Sequence, residues 1–262
     1  MKYLLAFVLL AILSCNNHEH VSEESIKKDS AKSSPASETI PQSKTEICWT
    51  GFLNTKTPVF LHYQLDSNIV IGEIIYLNTK DKLPITIIGT IEDDKNYRLL
   101  EFEKSGNITG VITGKPMGNV FNGDWVSPKT EKELVMSLVK KDTLVNASPI
   151  TAELPKIFGK YHYQYGEKGY QGDFELSQLP ESKASFGITS VTSDPARNIA
   201  QIEDDTIPLT KTRFTYELPG TKDCGFEVKF YKDFLRIKYT TGFCEGQFGN
   251  NATIDGIFLK VQ

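Results

Sequence analysis

From Ile47 onward, apolar and polar residues alternate with period two, and no 3.6-residue apolar stripe runs beyond two turns. The pattern predicts an all-β chain. In the first half, strands are expected at about 47–53, 58–65, 68–77, 84–92, 96–104, 107–113, 119–126 and 132–140, separated by turn material such as Asp66-Ser67-Asn68, Asp93-Asp94 and Pro116-Met117-Gly118. Short strands with close connections favour a meander that closes on itself or folds into two layers. Thr143, Ser148, Pro149 and Pro155 interrupt the alternation, so 142–154 reads as a linker. A second set of strands is expected at about 157–165, 170–177, 183–191, 198–203, 212–218, 224–231, 234–241 and 252–261. Its clearest hairpin alternates Phe226, Val228 and Phe230 with charged partners and turns at Lys232-Asp233. The expected architecture is two small antiparallel β-barrel or β-sandwich domains in tandem, 47–141 and 155–262. Ile91-Glu92-Asp93-Asp94 recurs as Ile202-Glu203-Asp204-Asp205, and Gly123-Asp124-Trp125 is echoed by Gly172-Asp173-Phe174. The two matches do not share a register, and duplication stays open.

Upstream the pattern changes. Residues 1–14 place Lys2 before an apolar run from Tyr3 to Leu13, too short for a permanent membrane span, and read as an export signal. Ile12-Leu13-Ser14-Cys15 resembles the lipobox of bacterial lipoproteins of the Bacteroidota type. The resemblance implies that Cys15 is lipidated and becomes the first residue of the mature chain, which meets the membrane through that anchor. Residues 16–46 hold no aromatic and only Val21, Ile26 and Ile40 as large aliphatics, too little to bury. With Cys15 they read as a tether, 15–46, spanning about 30 Å r.m.s. as a flexible chain. Asn16, followed by Glu19, Glu23 and Glu24, implies in such lipoproteins an outer-membrane location, on either the periplasmic or the cell-surface face. Asp29-Ser30-Ala31 resembles the short O-glycosylation motif of the same bacteria.

Composition narrows the function. With 29 Lys+Arg against 33 Asp+Glu and a formal charge of -4, the chain has no basic excess to neutralise a phosphate backbone, and no nucleic-acid partner is expected. Nothing spells a nucleophile elbow, phosphate loop, dinucleotide fingerprint or zinc helix, so no catalytic residue, metal or cofactor is assigned. His62 and His162 read as hydrogen-bonded strand residues. Gly106, Gly110, Gly114 and Gly118 recur every four residues, which on a strand keeps them on one face. They remove bulk where the sheet bends or where Trp125 packs across, or they floor a ligand site. Glu73 and Glu101 each interrupt an apolar register, Ile69/Ile71/Glu73/Ile75 and Tyr97/Leu99/Glu101. Both are therefore expected to point inward, and with Trp125 they are the candidate ligand-facing residues. Paired interior carboxylates are also what a glycosidase needs. Tyr161, Tyr163, Tyr165 and Tyr170 form a stripe that packs a core or faces a partner. In an oxidising compartment Cys224 and Cys244, at the two ends of the clearest hairpin, are expected to pair, leaving Cys48 as a buried free thiol.

The stretch 107–125 resembles, in its spacing of glycines and its Gly-x-Trp strand, a domain of Bacteroidota lipoproteins that brings no assigned activity. The second half, with its cysteine pair, is loosely similar to membrane-bound lysozyme inhibitors. Two functions follow: a non-catalytic binding or inhibitor module of the cell envelope with a protein partner, or a barrel that holds a small apolar ligand in the manner of lipocalins. A carbohydrate-active enzyme ranks third.

Overall fold

The computed structural model describes residues 45–261. The export signal, Cys15 and nearly all of the tether lie outside the described residues. Strands β1 (Ile47–Leu53), β2 (Thr57–Asp66), β3 (Ile69–Tyr76), β4 (Pro84–Ile91), β5 (Tyr97–Phe102), β6 (Asn107–Met117), β7 (Val120–Val126) and β8 (Glu133–Lys141) each pair antiparallel with the next. β8 then pairs back on β1. The result is a closed eight-stranded barrel.

Alternation decides what fills it. In β2, Val59, Leu61 and Tyr63 are buried with Trp49, Ile74, Ile87 and Phe121 in one apolar cluster. A relay of rings crosses the lumen: Trp49 to Phe121 at 6.0 Å, Phe121 to Tyr97 at 5.9 Å and Tyr97 to Tyr63 at 5.9 Å. Trp49 Nε1 donates to Tyr63 Oη at 3.2 Å, so the polar tips of this plug serve each other. Where β6 turns into β7, Gly118 sits at φ +61°, which a side chain would resist.

A 3₁₀ turn at Leu154–Lys156 leads into a second meander: β9 (Gly159–Tyr165), β10 (Gln171–Leu179), β11 (Lys183–Val191), β12 (Ile199–Pro208), β13 (Arg213–Glu217), β14 (Gly225–Phe230), β15 (Phe234–Thr241) and β16 (Gly256–Lys260). No α-helix occurs among the described residues. β16 pairs with β9, but β12 pairs only with β11 and β13 only with β14, which leaves a seam. Tyr216 Oη donates across it to Asp205 Oδ2 at 2.5 Å. Phe174, Phe186, Phe214, Phe226 and Phe230 fill the interior, and the Phe186 ring lies 5.0 Å from Tyr216 and 5.1 Å from Phe214. Cys224 and Cys244 form the expected disulfide, and Cys48 is a buried free thiol.

The meanders are fused more closely than a linker between domains suggests. On β3 to β6 both faces carry apolar residues, and the outward residues Ile69, Ile88, Leu100, Phe102 and Ile108 belong to the same buried cluster as the interior of the second meander. β6 and β9 pair in parallel through Asn107↔Gln164 and Ile108↔Tyr165. Lys229 Nζ reaches Asp66 Oδ2 at 2.6 Å, and Tyr231 Oη donates to the same oxygen at 3.0 Å. The segment expected as a free linker is pinned on both sides, by the bridges Thr45↔Asn146 and Thr151↔Tyr231 and by Gln64 Nε2 donating to the Ser148 carbonyl at 2.7 Å. The described residues, 45–261, all belong to one compact unit.

Candidate functional site

Of the residues expected to face a ligand, two are inside the barrel and one is not. Glu101 is buried near one end of the lumen, where Tyr76 Oη donates to Oε1 at 2.6 Å and Thr109 Oγ1 to Oε2 at 3.5 Å. Burial pushes its carboxyl above the ordinary range, and the Tyr76 hydrogen bond only partly offsets this. The Trp125 indole nitrogen is buried beside the same carboxylate, whose rise it helps to limit. Gly110 makes room for both, since a Cβ there would collide with Trp125 Nε1 and Glu101 Oε2. Both side chains thus face the interior of the barrel, as expected, Glu101 buried and Trp125 packed against the apolar cluster.

Glu73 corrects the inward expectation. Its register, shared with Ile69 and Ile71, is the outer face of β3, which is apolar because the second meander covers part of it. Glu73 is half exposed there, with its Oε2 3.6 Å from His62 Nε2, while His62 Nδ1 contacts Glu46. These three side chains line a cleft of about 670 Å³ that also holds Lys104 and Lys232. His162 pairs with Asp173 at 2.8 Å, and this hydrogen bond raises the imidazole above its usual value. Tyr161 and Tyr163 are interior, whereas Tyr165 and Tyr170 reach the surface of a different cleft.

That cleft, of about 600 Å³, lies where the outer face of β4 and β5 meets β9, β15 and the start of β16. Arg98 stands on the outer face of β5, flanked across the sheet by Thr90 and Thr113. Its Nη2 donates to Tyr165 Oη at 3.1 Å, and its guanidinium carbon lies 5.7 Å from the centre of that ring. Arg236 stands on the outer face of β15 opposite Ile257, and its Nη1 donates to Asn68 Oδ1 at 3.1 Å. Asp255 precedes Gly256, the first residue of β16, and Glu92 follows β4 at the rim. Solvent reaches the Asp255 carboxylate, yet the surrounding cleft walls desolvate it enough to raise it above the usual range, against the pull of Arg236 and Arg98. Tyr163, walled in by its neighbours, is pushed up to about 12 and stays neutral at ordinary pH. Among the described residues, the lining contains no histidine, cysteine or serine. Guanidinium donors and tyrosine rings equip it to hold a ligand.

Neither arginine was singled out by the alternation, because one charged residue on a half-apolar strand reads as an ordinary surface position. One signal does exist. The chain has only four arginines among its 29 basic residues, and two of the four line this cleft. A comparison with family models, curated proteins and solved structures finds no match to this chain.

Proposed function

We propose that the protein is a lipid-anchored, non-catalytic binding module of the bacterial cell envelope, attached to the outer membrane through Cys15, whose site is the cleft between the two meanders. On this reading 47–141 and 155–262 are tandem β domains brought together so that each supplies one wall. The observation that carries it is the pair Arg98 and Arg236, which have no carboxylate within ion-pair reach among the described residues and line, with Tyr165, an open cavity of about 600 Å³. Such donors favour a small ligand that offers acceptor oxygens. The reading of the barrel as a carrier of an apolar ligand has less support, since Trp49, Tyr63, Tyr97 and Phe121 occupy its lumen.

The test is a mass-spectrometric survey of low-mass compounds released from natively purified protein, wild type against the double variant Arg98→Gln/Arg236→Gln. A compound present in the wild type and lost from the variant is the expected result. Equal recovery from both proteins would place the ligand elsewhere. The anchor has its own test: Cys15→Ser should move the protein from the membrane to the soluble fraction, and unchanged membrane association would refute lipid attachment.

A further inference from the structure

The lining of the cleft carries two cationic side chains, Arg98 and Arg236, and two anionic ones, Asp255 and Glu92, and is formally neutral. Opposite charges that share a cleft usually collapse into ion pairs, because contact recovers part of what desolvation costs. Here none of the four belongs to an ion pair within 4.0 Å among the described residues. The cause is visible in their neighbours. Each guanidinium is held by a neutral acceptor, Tyr165 Oη for Arg98 and Asn68 Oδ1 for Arg236, which keeps both off Asp255. Asp255 in turn has no side-chain donor among the described residues, and its backbone N–H is tied to Thr253 Oγ1 at 3.2 Å, fixing where the residue sits. The cleft thus presents separated positive and negative poles with tyrosine rings beside them.

A simple anion would gain from the arginines and lose to Asp255 and Glu92; a simple cation would do the reverse. We infer that the cleft selects a zwitterion of the α-amino-acid type, an amino acid or short peptide, with its carboxylate on Arg98 and Arg236, its ammonium on Asp255 and an apolar side chain against Tyr165 and Tyr170. This rests on the reading of the cleft as the binding site and names the class of ligand. A cavity of about 600 Å³ has room for more than one residue, so the length of the ligand is an outcome of the test.

The experiment is isothermal titration of the full-length mature protein with L-phenylalanine, the dipeptide L-alanyl-L-phenylalanine, its N-acetyl derivative and its C-terminal amide. At least one of the two free zwitterions should bind ten-fold or more tightly than either blocked dipeptide. Asp255→Asn should erase the advantage over the N-acetyl form, and Arg236→Gln the advantage over the amide. Arg98→Lys, which keeps the charge but not the planar fork, should weaken every carboxylate-bearing probe alike. Melting curves of each variant confirm that it is folded. If the N-acetyl form or the amide binds as well as the zwitterions, and the variants still respond, the cleft is the site but the zwitterion inference falls. Binding that ignores all three variants removes both. If no probe binds the wild type, the inference falls, and the cleft reading is then judged by the co-purified compound alone.

Discussion

A carboxyl group shut away from water gives up its proton less readily, and burial raises Glu101 above its ordinary value in this way. Below its ordinary value of 4.5 the folded and unfolded chains both carry that proton, and the group's contribution to stability is fully present. As the pH climbs through the raised folded value, the unfolded chain ionises more easily than the folded one, and the contribution is lost. Glu101→Gln should therefore match the wild type near pH 4 and exceed it at pH 8, read as urea midpoints across that range. His162, raised by its bond to Asp173, adds a slope of the same sign to both proteins, so their difference isolates Glu101. If both proteins showed one and the same pH dependence, Glu101 would not be the buried acid described here. At Gly110, a valine would push into the Trp125 ring and the same carboxylate, and a loss of about 1–3 kcal/mol is expected in the same urea melts. The glycine's role was legible in the sequence, because its spacing and Trp125 pointed to one another. The side on which Glu73 lies was not. Alternation identifies a face but not whether that face is lumen or interface, and β3 is apolar on both: Val70 and Ile74 inside, Ile69 and Ile71 outside.

At the scale of elements, turn chemistry made nearly every strand legible, since Asp, Asn, Ser and Gly at the separators are the residues that tolerate the required backbone. The departures have local causes. β12 continues to Pro208 rather than stopping near 203, because beyond an irregularity between Phe186 and Ile188 it goes on pairing with β11 through Asp205 and Thr206. β6 runs to Met117, as Lys115 and Pro116 still face Asn122 and Phe121 on β7. β16 starts only at Gly256, leaving 252–255 as the loop that carries Asp255 into the cleft. The hairpin of β14 and β15 is closed at its open end by Cys224–Cys244, which lie 20 positions apart in sequence. Replacing both cysteines with serine should cost about 3 kcal/mol, from the freedom returned to the unfolded chain. Guanidinium melts of the double variant measure it, and an unchanged midpoint would mean that the hairpin is already constrained without the bond.

For the whole molecule, the shared apolar cluster and the parallel contact of β6 with β9 predict one cooperative thermal transition for 45–261, checked by calorimetry; two resolved peaks would show that the halves melt independently. The arrangement that makes the cleft was hidden from the sequence for the same reason. Strand periodicity describes each meander, while Arg98 and Arg236 meet only through docking of one outer face on another. The closure of β1 on β8 has a further consequence, in time rather than space. The first barrel needs no residue beyond Lys141 to complete its ring, so in a chain that emerges N-terminus first it is finished while β9 to β16 are still to come. Until they arrive, Ile69, Ile88, Leu100, Phe102 and Ile108 form a bare oily flank. A chain ended at Asn146 is accordingly expected to fold and then to cling to its own copies, scattering light at concentrations where the full-length protein stays clear, which makes the second meander the permanent shield of the first.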